Sequence, residues 1–196
     1  MKTDIILAGV GGQGILSIAA TIGTAAVDRG LYIKQAEVHG MSQRGGDVQS
    51  NLRLSDKPIA SDLIPQGGVD LILSVEPMEA LRYVNMLNKN GWIVTNKSSF
   101  VNISNYPDVE DIYNEIRKFK NSIIIDANQI AKDLGSVKAA NIVMLGAAAR
   151  FIDMPYEAFE KAIRTIFERK GEKVVEMNLN ALKAGADATE QYLKKV

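Results

Sequence analysis

Short runs rich in Ile, Leu and Val alternate along this chain with stretches of helical periodicity. Asp4 to Ala8 reads as a strand, a helical pattern follows from near Ile15 to Arg29, and Leu31 to Ala36 reads as a second strand. Later come a strand from Val69 to Val75, a helix from Pro77 to about Asn88, and a strand from Trp92 to Asn96. That alternation predicts a mostly parallel sheet with helices on both faces. Between the two halves, Asp47 to Leu54 and Pro58 to Leu63 flank Ser55-Asp56-Lys57, a turn signal before a proline. This pair is expected to add an antiparallel hairpin to the sheet. The predicted fold is therefore α/β, a Rossmann-like doubly wound sheet in a single domain over residues 1–196.

In the second half, Ile112, Ile116 and Phe119 mark one face of a short helix, and Ser122 to Asp126 reads as a buried strand. The remainder is helical. Asn141 to Phe151 is small and apolar on nearly every side, so it should lie against the sheet, with Gly146 and Ala147 to Ala149 permitting close approach. A helix from Met154 or Pro155 to Lys170 carries Phe159, Ile163 and Phe167 at helical spacing and stops at Gly171. Leu182, Ala186 and Leu193 mark a last helix expected as a surface cover.

Two glycine-rich connections carry the candidate chemistry. Gly9-Val10-Gly11-Gly12-Gln13-Gly14 has the Gly-x-Gly-x-x-Gly spacing between a strand and a helix start. Unpaired N–H groups and the positive end of the helix dipole stabilise an anion there without a charged side chain. The second connection, Glu37-Val38-His39-Gly40-Met41-Ser42-Gln43-Arg44-Gly45-Gly46, holds an acid, the only histidine and an arginine between two strands. Arg44 is a planar cation suited to phosphate or carboxylate, Ser42 and Gln43 add neutral hydrogen bonds, and Gly45-Gly46 keep the approach open. In a sheet wound this way ligands gather at the carboxyl ends of the strands, which puts both connections on one rim. The bland alternative is that Gly45-Gly46 shape a turn and Arg44 pairs with a surface carboxylate.

Ser74 and Glu76, Asn96 with Lys97, and Asn141 reach the same rim, but Ser, Glu and Pro before a helix are ordinary starting residues, and capping or turn closure is the favoured reading for all of them. His39 reads first as a hydrogen-bonded structural residue, and Met41 as a core or interface contact. No serine or cysteine has a recognisable base beside it, so no catalytic residue is assigned, and the isolation of His39 argues against a metal site.

Together with Val69-Asp70-Leu71-Ile72-Leu73-Ser74-Val75-Glu76-Pro77-Met78-Glu79-Ala80 and Asn141-Ile142-Val143-Met144-Leu145-Gly146, the two connections span most of the chain. In this set the chain resembles the gamma-type subunit or domain of the 2-oxoacid:ferredoxin oxidoreductases. The His-Gly-Met-Ser-Gln stretch before Arg44 points to the branch of the indolepyruvate:ferredoxin oxidoreductase beta subunit. The resemblance implies a share in oxidative decarboxylation of a 2-oxoacid, an aryl pyruvate in that branch, with coenzyme A as acyl acceptor and ferredoxin as electron acceptor. It implies a larger partner subunit that carries thiamine diphosphate, magnesium and 4Fe-4S clusters, none of them bound by this chain alone.

Cysteine content agrees, because cluster irons are held almost entirely by thiolates and this sequence has no cysteine. Nor is there a Gly-Asp-Gly segment with a following asparagine pair to hold the magnesium of thiamine diphosphate. The expected binding set is Gly9, Gly11, Gly12, Gln13, Gly14, Glu37, His39, Ser42, Gln43, Arg44, Gly45 and Gly46, enclosing coenzyme A or the oxoacid.

The 196 residues are 46% hydrophobic, with 23 basic residues balanced by 23 acidic ones, so nothing draws the chain to nucleic acid or an anionic membrane. Apolar runs such as Ile142 to Ala149 fall short of the ~20 residues a membrane helix needs. Residues 1–20 lack the basic start of a secretory signal, which makes a cytoplasmic setting the expectation. Two other readings stay open. One is a stand-alone dinucleotide-binding protein with Glu37 on the ribose, an acid at about the right remove from the glycines. The other is a purely structural subunit whose glycines shape an interface.

Overall fold

The computed structural model of the chain describes residues 1–39 and 45–195, the side chain of His39 excepted. Its centre is a six-stranded sheet in the order β2-β3-β1-β4-β5-β6. The strands are β1 (Lys2–Val10), β2 (Tyr32–His39), β3 (Asp47–Ser55), β4 (Val69–Ser74), β5 (Leu87–Asn96) and β6 (Ser122–Ile125). β1, β4, β5 and β6 run parallel, while β3 is antiparallel to both β1 and β2. Ile5 to Ala8 are all buried, as a strand covered on both faces requires.

Seven α-helices among the described residues cover the sheet. α1 (Ile15–Asp28), α4 (Ala127–Asp133), α5 (Ala140–Ala148), α6 (Tyr156–Phe167) and α7 (Glu172–Leu193) share one core with the Ile5, Leu7, Leu71 and Leu73 side of the strands. α2 (Pro77–Leu81) and α3 (Val109–Arg117) cover the Ile6, Ala8 and Ile72 side. No helix among the described residues is long and apolar enough to cross a membrane.

The antiparallel hairpin exists, but not where the turn signal put it. It joins β2 to β3, and residues 58–63 form no strand. Both edges of β3 are already paired, and the Arg53 guanidinium holds the later segment as a loop by donating to the carbonyls of Ser61 and Leu63 at 3.0 and 2.9 Å. The same guanidinium clasps the buried carboxylate of Asp4 at 2.8 and 3.0 Å, so one side chain spans β3, β1 and the loop.

The helix expected from Pro77 to Asn88 stops at Leu81. A 3-10 turn at Val84–Met86 follows, and β5 starts at Leu87, earlier than the apolar run suggested. α5 is buried throughout from Ile142 to Ala148, but the close approach at Gly146 is toward α7 rather than the sheet. α7 is correspondingly more than a surface cover, since Ala181, Leu182, Gly185 and Thr189 are buried in its seam with α5.

Candidate functional site

β1 runs without interruption to Val10, and the chain turns through Gly11 to Gly14 into α1. The glycines of this strand end and turn differ in what they do. A Cβ on Gly9 would meet the Val75 side chain at 2.3 Å, so Gly9 is a packing position beside β4. Gly12 has φ +100° with nothing within 4 Å of where a Cβ would stand, which leaves open space over the backbone. Gly14, at φ +82°, lies under Asn141, whose amide donates to the Gly14 carbonyl at 3.2 Å. Gln13 braces the turn, since its Oε1 accepts from the Val10 N–H at 2.8 Å.

The second connection arrives at the same place because β3 lies beside β1 with Asp47 opposite Val10. The Gly11 N–H donates to the Gly46 carbonyl at 2.8 Å, and the Gly45 N–H to the Gly11 carbonyl at 3.5 Å. Gly45 also has a positive φ and open space around it. The two glycine corners are thus joined backbone to backbone. Ser42, Gln43, Arg44 and the side chain of His39 lie outside the described residues.

A cavity of about 500 Å³ opens beside these corners, lined by Gly12, Gln13 and Gly14 on one wall and by Lys138 and Asn141 on another. Val75, Asn96, Phe100 and Asn128 line it as well. α1 begins here with no side-chain cap and no acid in its first turn, so its N-terminal N–H groups and dipole face the cavity uncompensated. α5 starts at the same cavity with Ala139 at its N-cap, Asn141 takes up the Ile142 N–H of its first turn, and Lys138 adds a cation just before it. Two helix N-termini, a lysine and the four amide side chains of Gln13, Asn96, Asn128 and Asn141 make a setting for an anion with hydrogen-bonding neighbours. Among the described residues no group of three or more His, Asp or Glu side chains could hold a metal ion.

The capping readings hold. Glu76 accepts from the Glu79 N–H at 2.8 Å, and the Ser74 hydroxyl donates to the Glu76 carbonyl. Asn96 closes the β5 end, its Oδ1 accepting from Ala127 and its amide donating to Val75 and Asn128. Asn141 does two jobs, accepting from the Ile142 N–H while bridging to Gly14. Buried Glu76 goes further than a cap. Its Oε1 accepts from the Phe100 N–H at 3.2 Å and from the Tyr106 hydroxyl, which ties the loop after β5 to the rim. Burial first, and then that carboxylate, push the Tyr106 hydroxyl well above the usual tyrosine range.

Glu37 sits on β2 opposite Ser50, with its Oε2 buried and unpaired among the described residues. β3 separates β2 from β1, which puts Glu37 about 10 Å from β1 at ordinary strand spacing. In the dinucleotide-binding arrangement the strand with the ribose-binding acid lies next to the first. The inserted strand removes that adjacency. Sequence reading missed Lys138, Phe100 and Asn102. Asn102 donates to the Gly45 carbonyl at 2.7 Å, and no local signal marks a residue whose partner is 57 positions away.

Residues 4–188 match the pyruvate ferredoxin/flavodoxin oxidoreductase family. The chain is 40% identical over 194 residues to indolepyruvate oxidoreductase subunit IorB of Archaeoglobus fulgidus, with 94% of each chain covered. The gamma subunit of a keto/oxoacid ferredoxin oxidoreductase from Geobacter sulfurreducens has a similar fold, with TM-score 0.69 at 24% identity over 96% of this chain and 99% of that one. So has the 2-oxoglutarate:ferredoxin oxidoreductase of Magnetococcus marinus, solved with 2-oxoglutarate, coenzyme A and succinyl-CoA bound. Its TM-score is 0.77 at 21% identity, covering 97% of this chain but 31% of that one.

Proposed function

The chain belongs to the pyruvate ferredoxin/flavodoxin oxidoreductase family, and from that membership and the rim's geometry we propose that it is the small subunit of an indolepyruvate or aryl pyruvate:ferredoxin oxidoreductase, where it encloses coenzyme A or the oxoacid. One observation carries the reading of the site. The Gly11 and Gly45-Gly46 backbones are hydrogen-bonded together beside a cavity that the uncapped start of α1 faces.

In this reading the backbone N–H groups of Gly12, Gly14 and Ile15, with Lys138, hold a phosphate or carboxylate, and Arg44 is the second anchor, while the Gln13 N–H donates to the Val10 carbonyl. Asn141 and Asn128 offer amide hydrogen bonds, and Phe100 shields one side of the cavity from water. The chain's part is to bind, orient and exclude water. Without cysteine it has no thiolate for a cluster iron, so we assign the 4Fe-4S clusters, thiamine diphosphate and its magnesium to a larger subunit. Thiamine diphosphate there supplies the chemistry that stabilises the carbanion left by decarboxylation. Ferredoxin meets the complex through that subunit, in the cytoplasm.

The test is steady-state kinetics of the co-expressed complex carrying Arg44→Ala or Gly12→Ala. Loss of a charge-assisted hydrogen bond, or a methyl group in the anion's place, should raise the apparent KM for coenzyme A or the oxoacid about tenfold or more, with little change in kcat. Unchanged constants for both variants would remove the glycine rim from ligand binding.

A further inference from the structure

The loop from 97 to 108, between β5 and α3, has almost no regular structure of its own, yet it is held at four points. The Tyr113 hydroxyl donates to the Lys97 carbonyl, the Phe100 N–H and the Tyr106 hydroxyl donate to buried Glu76, and the Asn102 amide donates to the Gly45 carbonyl. Committing a buried carboxylate to shape a loop is costly unless its hydrogen bonds are made, and here they are. Among polar neighbours the loop exposes three large apolar side chains. Phe100, Val101 and Ile103 are 43%, 69% and 42% exposed and close together in sequence, and Phe100 also lines the cavity.

Other exposed apolar residues stand on the same rim. Leu16 is in the first turn of α1, Val38 is near the end of β2, and Val137 lines the cavity beside Gly12 to Gly14. Six of the ten large hydrophobic side chains exposed among the described residues therefore lie on segments that follow or end the strands near the glycine corners, and two of them, Phe100 and Val137, line the cavity itself. Scattered single exposures need no explanation, whereas a gathered apolar rim around a polar centre marks an interaction surface. The anchoring supplies what a recognition loop needs, a shape whose ordering cost is met before binding.

We propose that the 97–108 loop, with Val101 and Ile103 as its leading contacts, is the docking surface for the larger subunit of the oxidoreductase. The proposal rests on the functional reading above. A ligand held at the glycine corners must present its reacting atoms to chemistry this chain does not carry, so the partner has to abut this rim. The Magnetococcus fold match points to the same occupant, because there a region with this chain's fold makes up 31% of a longer polypeptide.

The experiment is affinity measurement between the tagged large subunit and the small chain, with Val101→Asp/Ile103→Asp as the loop variant and Leu63→Asp as the control. Leu63 is 60% exposed and lies before β4, on the loop gripped by Arg53. Burying two unpaired carboxylates in the interface should weaken association on the order of 100-fold, with the control within about twofold of the parent. Both variants should melt at the parental temperature when isolated. If the double variant does not fold, Val101→Lys at the most exposed position carries the test instead.

Unchanged affinity overturns the proposal, as does an equal loss in loop variant and control. A small chain that is a dimer in solution, and that Val101→Asp/Ile103→Asp turns into a monomer, would assign the surface to a second copy and also overturn it. The ligand reading is judged separately, by the KM of Gly12→Ala. Assembly lost on the loop with KM unmoved by Gly12→Ala would leave the docking surface standing and sink the anion site.

Discussion

Glycines at the α5–α7 seam and glycines at the strand ends do opposite work. A Cβ on Gly146 would fall 1.9 Å from the Leu182 carbonyl oxygen, and one on Gly185 would fall 1.9 Å from that of Val143. Both are backbone atoms that cannot swing aside, so these glycines let two helices touch. At the rim, Gly12 and Gly45 have positive φ and nothing within 4 Å. There the missing side chain leaves the backbone open. The difference teaches that a glycine is read by what surrounds it, since one set is required by packing and the other by access.

The largest expected effect lies in the seam. Gly146→Ala or Gly185→Ala should lower stability by about 3 kcal/mol, toward the severe end for overpacking, and urea denaturation of the isolated chain measures it. A loss below about 1 kcal/mol would mean the helices slide apart easily, and the contrast with the rim would collapse. Gly12→Ala should separate the two properties. Its stability cost is about 1 kcal/mol from backbone strain alone, while the KM effect in the complex is the tenfold or greater rise already stated.

A position between the extremes sharpens the picture. Asn141→Ala removes the amide that bridges α5 to the Gly14 carbonyl, and about 1 kcal/mol of stability should go with it. Because Asn141 also lines the cavity, a modest rise in KM should accompany that loss. A fall in stability with no change in KM would class it with the packing residues.

The smallest effect is a pH dependence on the other face of the sheet. Glu79 is buried, and desolvation, reinforced by the charges of Glu76 and Asp47, raises its carboxyl above the ordinary value of 4.5 in spite of the Arg82 contact at 2.7 Å. The folded protein therefore holds this proton more tightly than the unfolded chain does. Its contribution to stability is present below pH 4.5 and declines as pH rises from there through the raised folded value. Glu79→Gln should flatten that part of the urea-midpoint profile, and an identical slope in the variant would assign the dependence to another group.

The β1–turn–α1 unit was legible from local pattern, because a doubly covered strand is apolar throughout and a glycine turn before a helical stripe has few alternatives. The extended character of Asp47 to Leu54 was legible from Val48, Leu52 and Leu54 falling on one side of a period-two pattern. Its partner was not. Ser55-Asp56-Lys57 before Pro58 has the chemistry of a hairpin turn, but strand pairing is decided by which edge is free, and β2 and β1 take both edges of β3. Gly146 within a small apolar stretch signals a close approach, and only the packed helices show that the approach is to α7.

For the candidate site, sequence alone determined the residue types and the two corners, since backbone freedom, an exposed helix start and a planar cation are local properties. Tertiary structure decided that the corners are joined through Gly11 and Gly45-Gly46 and that Lys138 and Asn141 share their cavity. It also decided that Asn102 and Glu76 shape an apolar loop beside them. These meetings join residues far apart in the chain. They follow from the order in which strands find edges and helices find faces, and that order is set by burial summed over the whole molecule rather than by any short segment.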